Sequence, residues 1–188
     1  MSIVLASASP RRKELLEMMG LEFEIIPAQD ELDAEGLSPA EAVAKIALGK
    51  AMSIAKQRDE KDLIIAADTL VCLNGELLGK PKNEAEAFEM LRKLSGNEHQ
   101  VYTGVAVSCG EKNIADAEMT KVYFCEMSDD DIKNYIATSE PMDKAGSYGI
   151  QGKGAVFIEK IEGDYFNVMG LPLHKLSLML KDFGFSLL

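Results

Sequence analysis

The chain has 188 residues, a formal net charge of −11, 27% charged and 47% hydrophobic residues, three cysteines and two histidines. That length and balance fit one globular domain, or two small lobes, with a sizeable core. The acidity weighs against a nucleic-acid polymer as ligand, because neutralising phosphates dominates such binding.

Cys72, Cys109 and Cys125 have no CxxC spacing, which argues against a disulfide framework or zinc cluster and suits a reducing compartment. With His99 and His174 as the two histidines, a multi-histidine metal centre is not expected. The apolar start Ile3–Ala6 precedes the basic residues and is too short for a signal peptide. No apolar run approaches the ~20 residues of a membrane span. A soluble, cytoplasmic protein is expected.

Residues 2–6 read as a strand and Ser7-Ala8 as a turn. Ser9-Pro10 has the chemistry of a helix N-cap followed by proline at the first helical position, and Gly20 is a natural stop. Leu15, Leu16, Met18 and Met19 form the apolar stripe of that helix. Arg11, Arg12 and Lys13 occupy its first turn, where the dipole and unpaired N–H groups are already positive. Such cations either gather an anion, making the turn a phosphate cradle, or splay into solvent.

Phe23–Ile26 reads as a second strand, pairing in parallel with the first through the helix. The acidic loop Asp30–Glu35 is solvated charge or a source of a carboxylate for a divalent cation. Ser38-Pro39-Ala40-Glu41 is a capping box opening a helix to about Gln57, with Val43, Ile46, Ala47, Ala51 and Ile54 at helical spacing. Lys50, at its apolar edge, either snorkels to water or reaches into a cleft.

Leu63–Ala67 is a buried-strand run interrupted by Asp68-Thr69. Burying a polar group without partners costs roughly 2–7 kcal/mol. Asp68 therefore either faces a cleft or has a cation waiting for it. Asn74-Gly75 is a two-residue hairpin signal, which returns Lys80 close to the Asp68 end of the strand.

A helix from Asn83 to Gly96 carries an Asn83/Glu86 capping box and apolar Phe88, Leu91 and Leu94. Strands follow over 100–108 and about 115–125, then a helix from Ser128 to about Ala137 with acids in its first turn. Four glycines between Gly146 and Gly154 let backbone N–H groups approach a ligand closely. A strand over 155–161 and a helix over Leu173–Phe183 complete the chain, the latter with Leu176, Met179, Leu180 and Phe183 toward the core.

Cations at an N-terminal turn, a strand-borne aspartate, a returning lysine and a glycine loop are the parts of a nucleotide site. An exposed aspartate is a weak base, so Asp68 works by burial, by positioning water or by holding a metal. An aspartyl phosphate is disfavoured, because Leu70 stands where such enzymes place a second aspartate.

The segments ASASPRRKELL (6–16), AADT (66–69), GELLGKP (75–81), LRKLSG (91–96), DKAGSYGIQG (143–152) and VMGLP (168–172) closely resemble the Maf family of nucleoside triphosphate pyrophosphatases. The likeness spans nearly the whole chain. It implies a mixed α/β fold similar to the inosine triphosphate pyrophosphatases, with a long twisted sheet, flanking helices and a cleft between two lobes of a single domain over 1–188. It also implies Mg²⁺- or Mn²⁺-assisted hydrolysis of a nucleoside triphosphate to the monophosphate and pyrophosphate, in a homodimer.

Carried over by position, the resemblance makes Asp68 the catalytic acid, lines the phosphate path with Ser7, Arg11, Lys50 and Lys80, and makes Glu31, with Asp68, a candidate metal ligand. Arg11, Thr69 and Gln151 match positions that separate substrate branches. SPRR, ADT and GIQG are similar to the dTTP/UTP pattern, whereas the 7-methyl-GTP branch resembles SPWR, SDQ and SEG. Gln151 suits pyrimidine reading because its amide both donates and accepts. Ser147 departs from the alanine common in the family. The expected function is a house-cleaning dTTP/UTP pyrophosphatase that also takes modified pyrimidine triphosphates. The alternatives are a nucleotide-binding regulator of septum formation acting through a protein partner, and a purine-directed relative, which Thr69 and Gln151 argue against.

Overall fold

A computed structural model describes residues 2–29 and 34–187. Seven strands form one mixed sheet in the order β2-β1-β3-β5-β6-β7, with β4 paired to β3. They are β1 (Ile3–Leu5), β2 (Glu24–Ile25), β3 (Leu63–Leu73), β4 (Glu76–Leu78), β5 (Glu98–Cys109), β6 (Lys112–Phe124) and β7 (Ile158–Glu162). The helices are α1 (Pro10–Met18), α2 (Pro39–Ala55), α3 (Glu84–Leu94), α4 (Asp129–Ile136), α5 (Tyr165–Met169) and α6 (Leu173–Asp182). Both β2 and β3 run parallel to β1, whereas β4 is antiparallel to β3 and β7 to β6. Among the described residues, no helix is long and apolar enough to cross a membrane.

The chain divides into two compact units. The first comprises Met1–Asp68, Thr103–Glu118 and Gly170–Leu188. Its core joins Val4, Ile64 and Ala66 of the sheet to Ala47, Ala51 and Ile54 of α2. The capping box is present in full: Ser38 Oγ accepts from the Glu41 amide, and the Glu41 carboxylate accepts from the Ser38 amide. Gly104 of β5 lies against the α2 backbone, where a Cβ would stand 2.1 Å from the Val43 carbonyl oxygen. On α1, Leu15 and Leu16 are buried, but Met18 of the expected apolar stripe is 59% exposed.

The second unit comprises Thr69–Tyr102 and Met119–Met169. Leu91 and Leu94 of α3, Ile132, Tyr135 and Ile136 of α4, and Val101, Val122 and Phe124 of the sheet pack into its core. Asn74 and Gly75 both adopt positive φ, 51° and 86°, as a type I′ hairpin turn requires. The expected Asn83/Glu86 box is only half made. Asn83 caps the Glu86 amide at 2.9 Å, but the Glu86 carboxylate accepts from Lys82 N–H instead. Residues 155–157, expected to start the last strand, belong instead to a 3-10 turn over Lys153–Phe157, and β7 begins at Ile158. The five-residue α5 was not foreseen. It is pinned by the buried Asn167, whose Nδ2 donates to the Val101 carbonyl and to Thr120 Oγ1, both at 3.0 Å.

Candidate active site

β3 carries Asp68 immediately after the buried run Leu63–Ala67. The cation that meets it comes from α2: Lys50 Nζ donates to Asp68 Oδ1 at 2.6 Å, with side chains 23% and 18% exposed. Lys50 therefore reaches inward rather than snorkelling to water. It orients the carboxylate and neutralises it in a partly desolvated setting, where such a pair is worth more than on an open surface.

Ser7 follows β1 and is buried. Its hydroxyl accepts from Arg12 Nη1 at 2.9 Å and from the Ser9 amide at 3.3 Å, and Arg12 Nε donates to the Gly170 carbonyl at 2.8 Å. Ser9 occupies the N-cap with Pro10 behind it but makes no side-chain cap bond. Burial lowers the Arg12 guanidinium to about 10, with the Asp68 carboxylate opposing that shift and Arg11 reinforcing it. Arg12 thus remains charged at neutral pH.

The three first-turn cations are not equivalent. Arg12 is built into the turn, Arg11 lies close enough to act on its charge, and Lys13 pairs with Glu17 at 3.5 Å on the exposed face. All three stand in the candidate phosphate cradle, but the family resemblance assigns the phosphate path to Arg11 and leaves Arg12 without a role. The available signal was position: Arg12 is the third helical residue, the one whose side chain reaches back over the N-terminal turn in a capping box. Arg11, Arg12 and Lys50 outnumber Asp68 in charge, which suits an anionic ligand.

In the second unit, Lys80 lies two residues beyond Leu78, whose partner across the hairpin is Val71. Lys80 is exposed, as is Gln151. Gly146 N–H donates to the Gly79 carbonyl at 3.0 Å, tying the glycine loop to the residue before Lys80. That loop does not hold its amides out for a ligand. Gly149, Lys153 and Gly154 N–H groups are all taken up internally, by Tyr135 Oη and the Glu140 carboxylate. Ser147 turns its hydroxyl onto Met90 Sδ at 3.2 Å, so the departure from alanine is accommodated in the core.

Glu31 lies outside the described residues. Among the described residues, no three His, Cys, Asp or Glu side chains gather as a metal cage. Mg²⁺ bound through one or two carboxylates, substrate phosphates and water needs no such cage. The partly exposed Asp68 carboxylate fits as a protein ligand for an ion of that kind.

A family model described as Maf-like protein matches residues 2–183. The chain belongs to the Maf family. It is 49% identical over 183 residues to a dTTP/UTP pyrophosphatase of Bacillus cereus, covering 97% of this chain and 95% of that protein. It is 50% identical over 181 residues to the dTTP/UTP pyrophosphatase of Bacillus cytotoxicus, covering 96% and 94%. Among solved structures, the Ham1 protein of Staphylococcus aureus superposes with a TM-score of 0.56 at 16% identity, covering 97% of this chain and 99% of that one. A HAM1 protein from Coxiella burnetii matches with a TM-score of 0.56 at 18% identity and the same coverage. At those identities the likeness speaks for the fold alone. It agrees with the fold relationship that the Maf resemblance implies.

Proposed function

We propose that this Maf protein is a nucleoside triphosphate pyrophosphatase that hydrolyses dTTP and UTP, and modified pyrimidine triphosphates, to the monophosphate and pyrophosphate. The observation that carries the proposal is the Asp68 carboxylate clasped by Lys50 beside the partly buried Arg12 charge. It occurs in a chain about half identical, over nearly its whole length, to proteins named for that activity.

In this reading Arg12 and Lys50 gather negative charge, Ser7 fixes the fork of Arg12, and Arg11 and Lys80 add cations along the phosphates. With Oδ1 engaged by Lys50, Asp68 Oδ2 orients the attacking water and accepts its proton as the water adds to the α-phosphorus and pyrophosphate leaves. Asp68 and Glu31 would hold a Mg²⁺ or Mn²⁺ ion, which would supply charge neutralisation along the phosphates. Thr69 and Gln151 select the pyrimidine. The enzyme is cytoplasmic, as its cysteine usage suits, and homodimeric, as the family resemblance implies.

The test is a panel of natural, methylated and deaminated triphosphates with Mg²⁺ or Mn²⁺, read as pyrophosphate separately from orthophosphate. Pyrophosphate from dTTP and UTP, abolished in Asp68→Asn with nucleotide binding retained, supports the proposal. Binding without turnover across the panel would favour a regulator of septum formation acting through a protein partner.

A further inference from the structure

The loop that carries Gln151 is held by a carboxylate and a phenol to which neither the sequence nor the proposed chemistry assigns a role. Glu140 Oε1 accepts from Tyr135 Oη at 2.8 Å and from Gly154 N–H at 3.1 Å, and Oε2 accepts from Lys153 N–H at 2.9 Å. Tyr135 Oη in turn accepts from Gly149 N–H at 3.1 Å. Its ring is buried and packs edge-on to Phe157, with centroids 5.4 Å apart. Lys144 Nζ donates to the Glu140 carbonyl at 2.6 Å and fixes the clamp from behind.

The glycines explain why the backbone can lie this close. A Cβ at Gly152 would stand 2.4 Å from Glu140 Oε1, and one at Gly154 would stand 2.5 Å from Tyr135 Oη. The glycine spacing therefore serves an internal carboxylate rather than a ligand. Gln151 is bracketed on both sides by clamped amides, with its own side chain on the exposed face.

We propose that Glu140 and Tyr135 are positioning residues for base selection: they hold the 149–154 backbone so that Gln151 is presented in one orientation to the pyrimidine. The inference rests on the reading of Gln151 as the base reader. Its physical content is preorganisation. A loop ordered before the nucleotide arrives does not lose its freedom at the moment of binding, and an amide distinguishes bases only when its donor and acceptor are fixed in direction.

The test compares Glu140→Gln, Tyr135→Phe and Gln151→Glu with the parent protein. Two measurements are made: the kcat/KM ratio of dTTP to dATP, and amide hydrogen exchange over 149–154. Glu140→Gln keeps the Oε1 acceptor but turns an NH₂ toward the Lys153 N–H. Tyr135→Phe removes the acceptor of Gly149 N–H and the donor to Glu140.

Both clamp variants are expected to exchange faster at these amides and to lose about tenfold in the dTTP:dATP ratio. The loss falls on KM for dTTP, with turnover at saturation within about twofold. A merely structural role would lower both substrates together and leave the ratio unmoved. Faster exchange with an unchanged ratio, or unchanged exchange, overturns the inference. Where a clamp variant does not fold, Gly152→Ala displaces the loop from Glu140 by a different contact and reads the same two quantities. If Gln151→Glu changes the ratio and the clamp variants do not, the clamp proposal fails and the base reader stands. If Gln151→Glu leaves the ratio unchanged, it is the reading of Gln151 that fails.

Discussion

Lys50 Nζ stands 2.6 Å from Asp68 Oδ1, joining the inner face of α2 to the end of the buried run of β3. Removing the lysine leaves a partly buried carboxylate without its orienting donor. Lys50→Met is therefore expected to lower kcat/KM for dTTP on the order of a hundredfold, and Asp68→Asn by about 10²–10⁴-fold. Because the two residues act as a unit, the double variant costs little more than Asp68→Asn alone. Fully additive losses in steady-state kinetics would show that Lys50 serves another purpose.

Arg12 and Arg11 are adjacent in sequence but not in role. Arg12→Lys replaces a fork that bonds Ser7 and Gly170 with a point charge that cannot make both contacts. The expected result is roughly tenfold higher KM for dTTP and a loss of about 1–3 kcal/mol in stability. Arg11→Lys has the smaller effect on stability. Chemical denaturation of the two variants side by side decides this, and equal losses would contradict it.

Gly104→Ala places a methyl group 2.1 Å from the Val43 carbonyl oxygen and 2.2 Å from its carbon. The obstacle is backbone, so no side-chain rotation relieves it, and a loss of about 3 kcal/mol or more is expected. Gly79→Ala, where nothing lies within 4 Å, is the control. A Gly104→Ala protein melting with the parent would mean that α2 and β5 are spaced more loosely than described.

His99 is fully buried, and its Nε2 lies 2.8 Å from Tyr148 Oη. Burial depresses its pKa from 6.5 to about 4, with Glu98 opposing. The unfolded chain therefore binds the proton first as pH falls. The stability that neutral His99 contributes is complete above pH 6.5 and is lost as pH drops toward 4, by up to about 3 kcal/mol. His99→Gln keeps a partner for Tyr148 and cannot titrate, so unfolding free energies measured from about pH 6.5 down to about pH 5 are expected to slope less in the variant. Identical slopes would assign the pH dependence to other groups.

Much of this architecture was legible because its signals are local. The Ser38/Glu41 capping box forms as its spacing requires, and Asn74-Gly75 makes its hairpin because both residues tolerate positive φ. Lys50 was named for the phosphate path, but that it, rather than Lys80, pairs with Asp68 depends on α2 packing over β3. No spacing encodes that packing. Arg11 and Arg12 have the same chemistry, and only the direction of the helix turn separates them. Glu140 stood before a proline as one acid among many, and its value appears only when the chain returns fourteen residues later to place Gly154 on it. The glycines were visible, but which way their amides pointed was not.

The role proposed for Asp68 is to direct water to the α-phosphorus of a pyrimidine triphosphate. Turnover of dTTP in water enriched in heavy oxygen, with the products resolved by mass spectrometry, tests it most directly. The label is expected in dTMP, with none in pyrophosphate. Label in pyrophosphate or in orthophosphate would mean attack at the β- or γ-phosphorus and would contradict it.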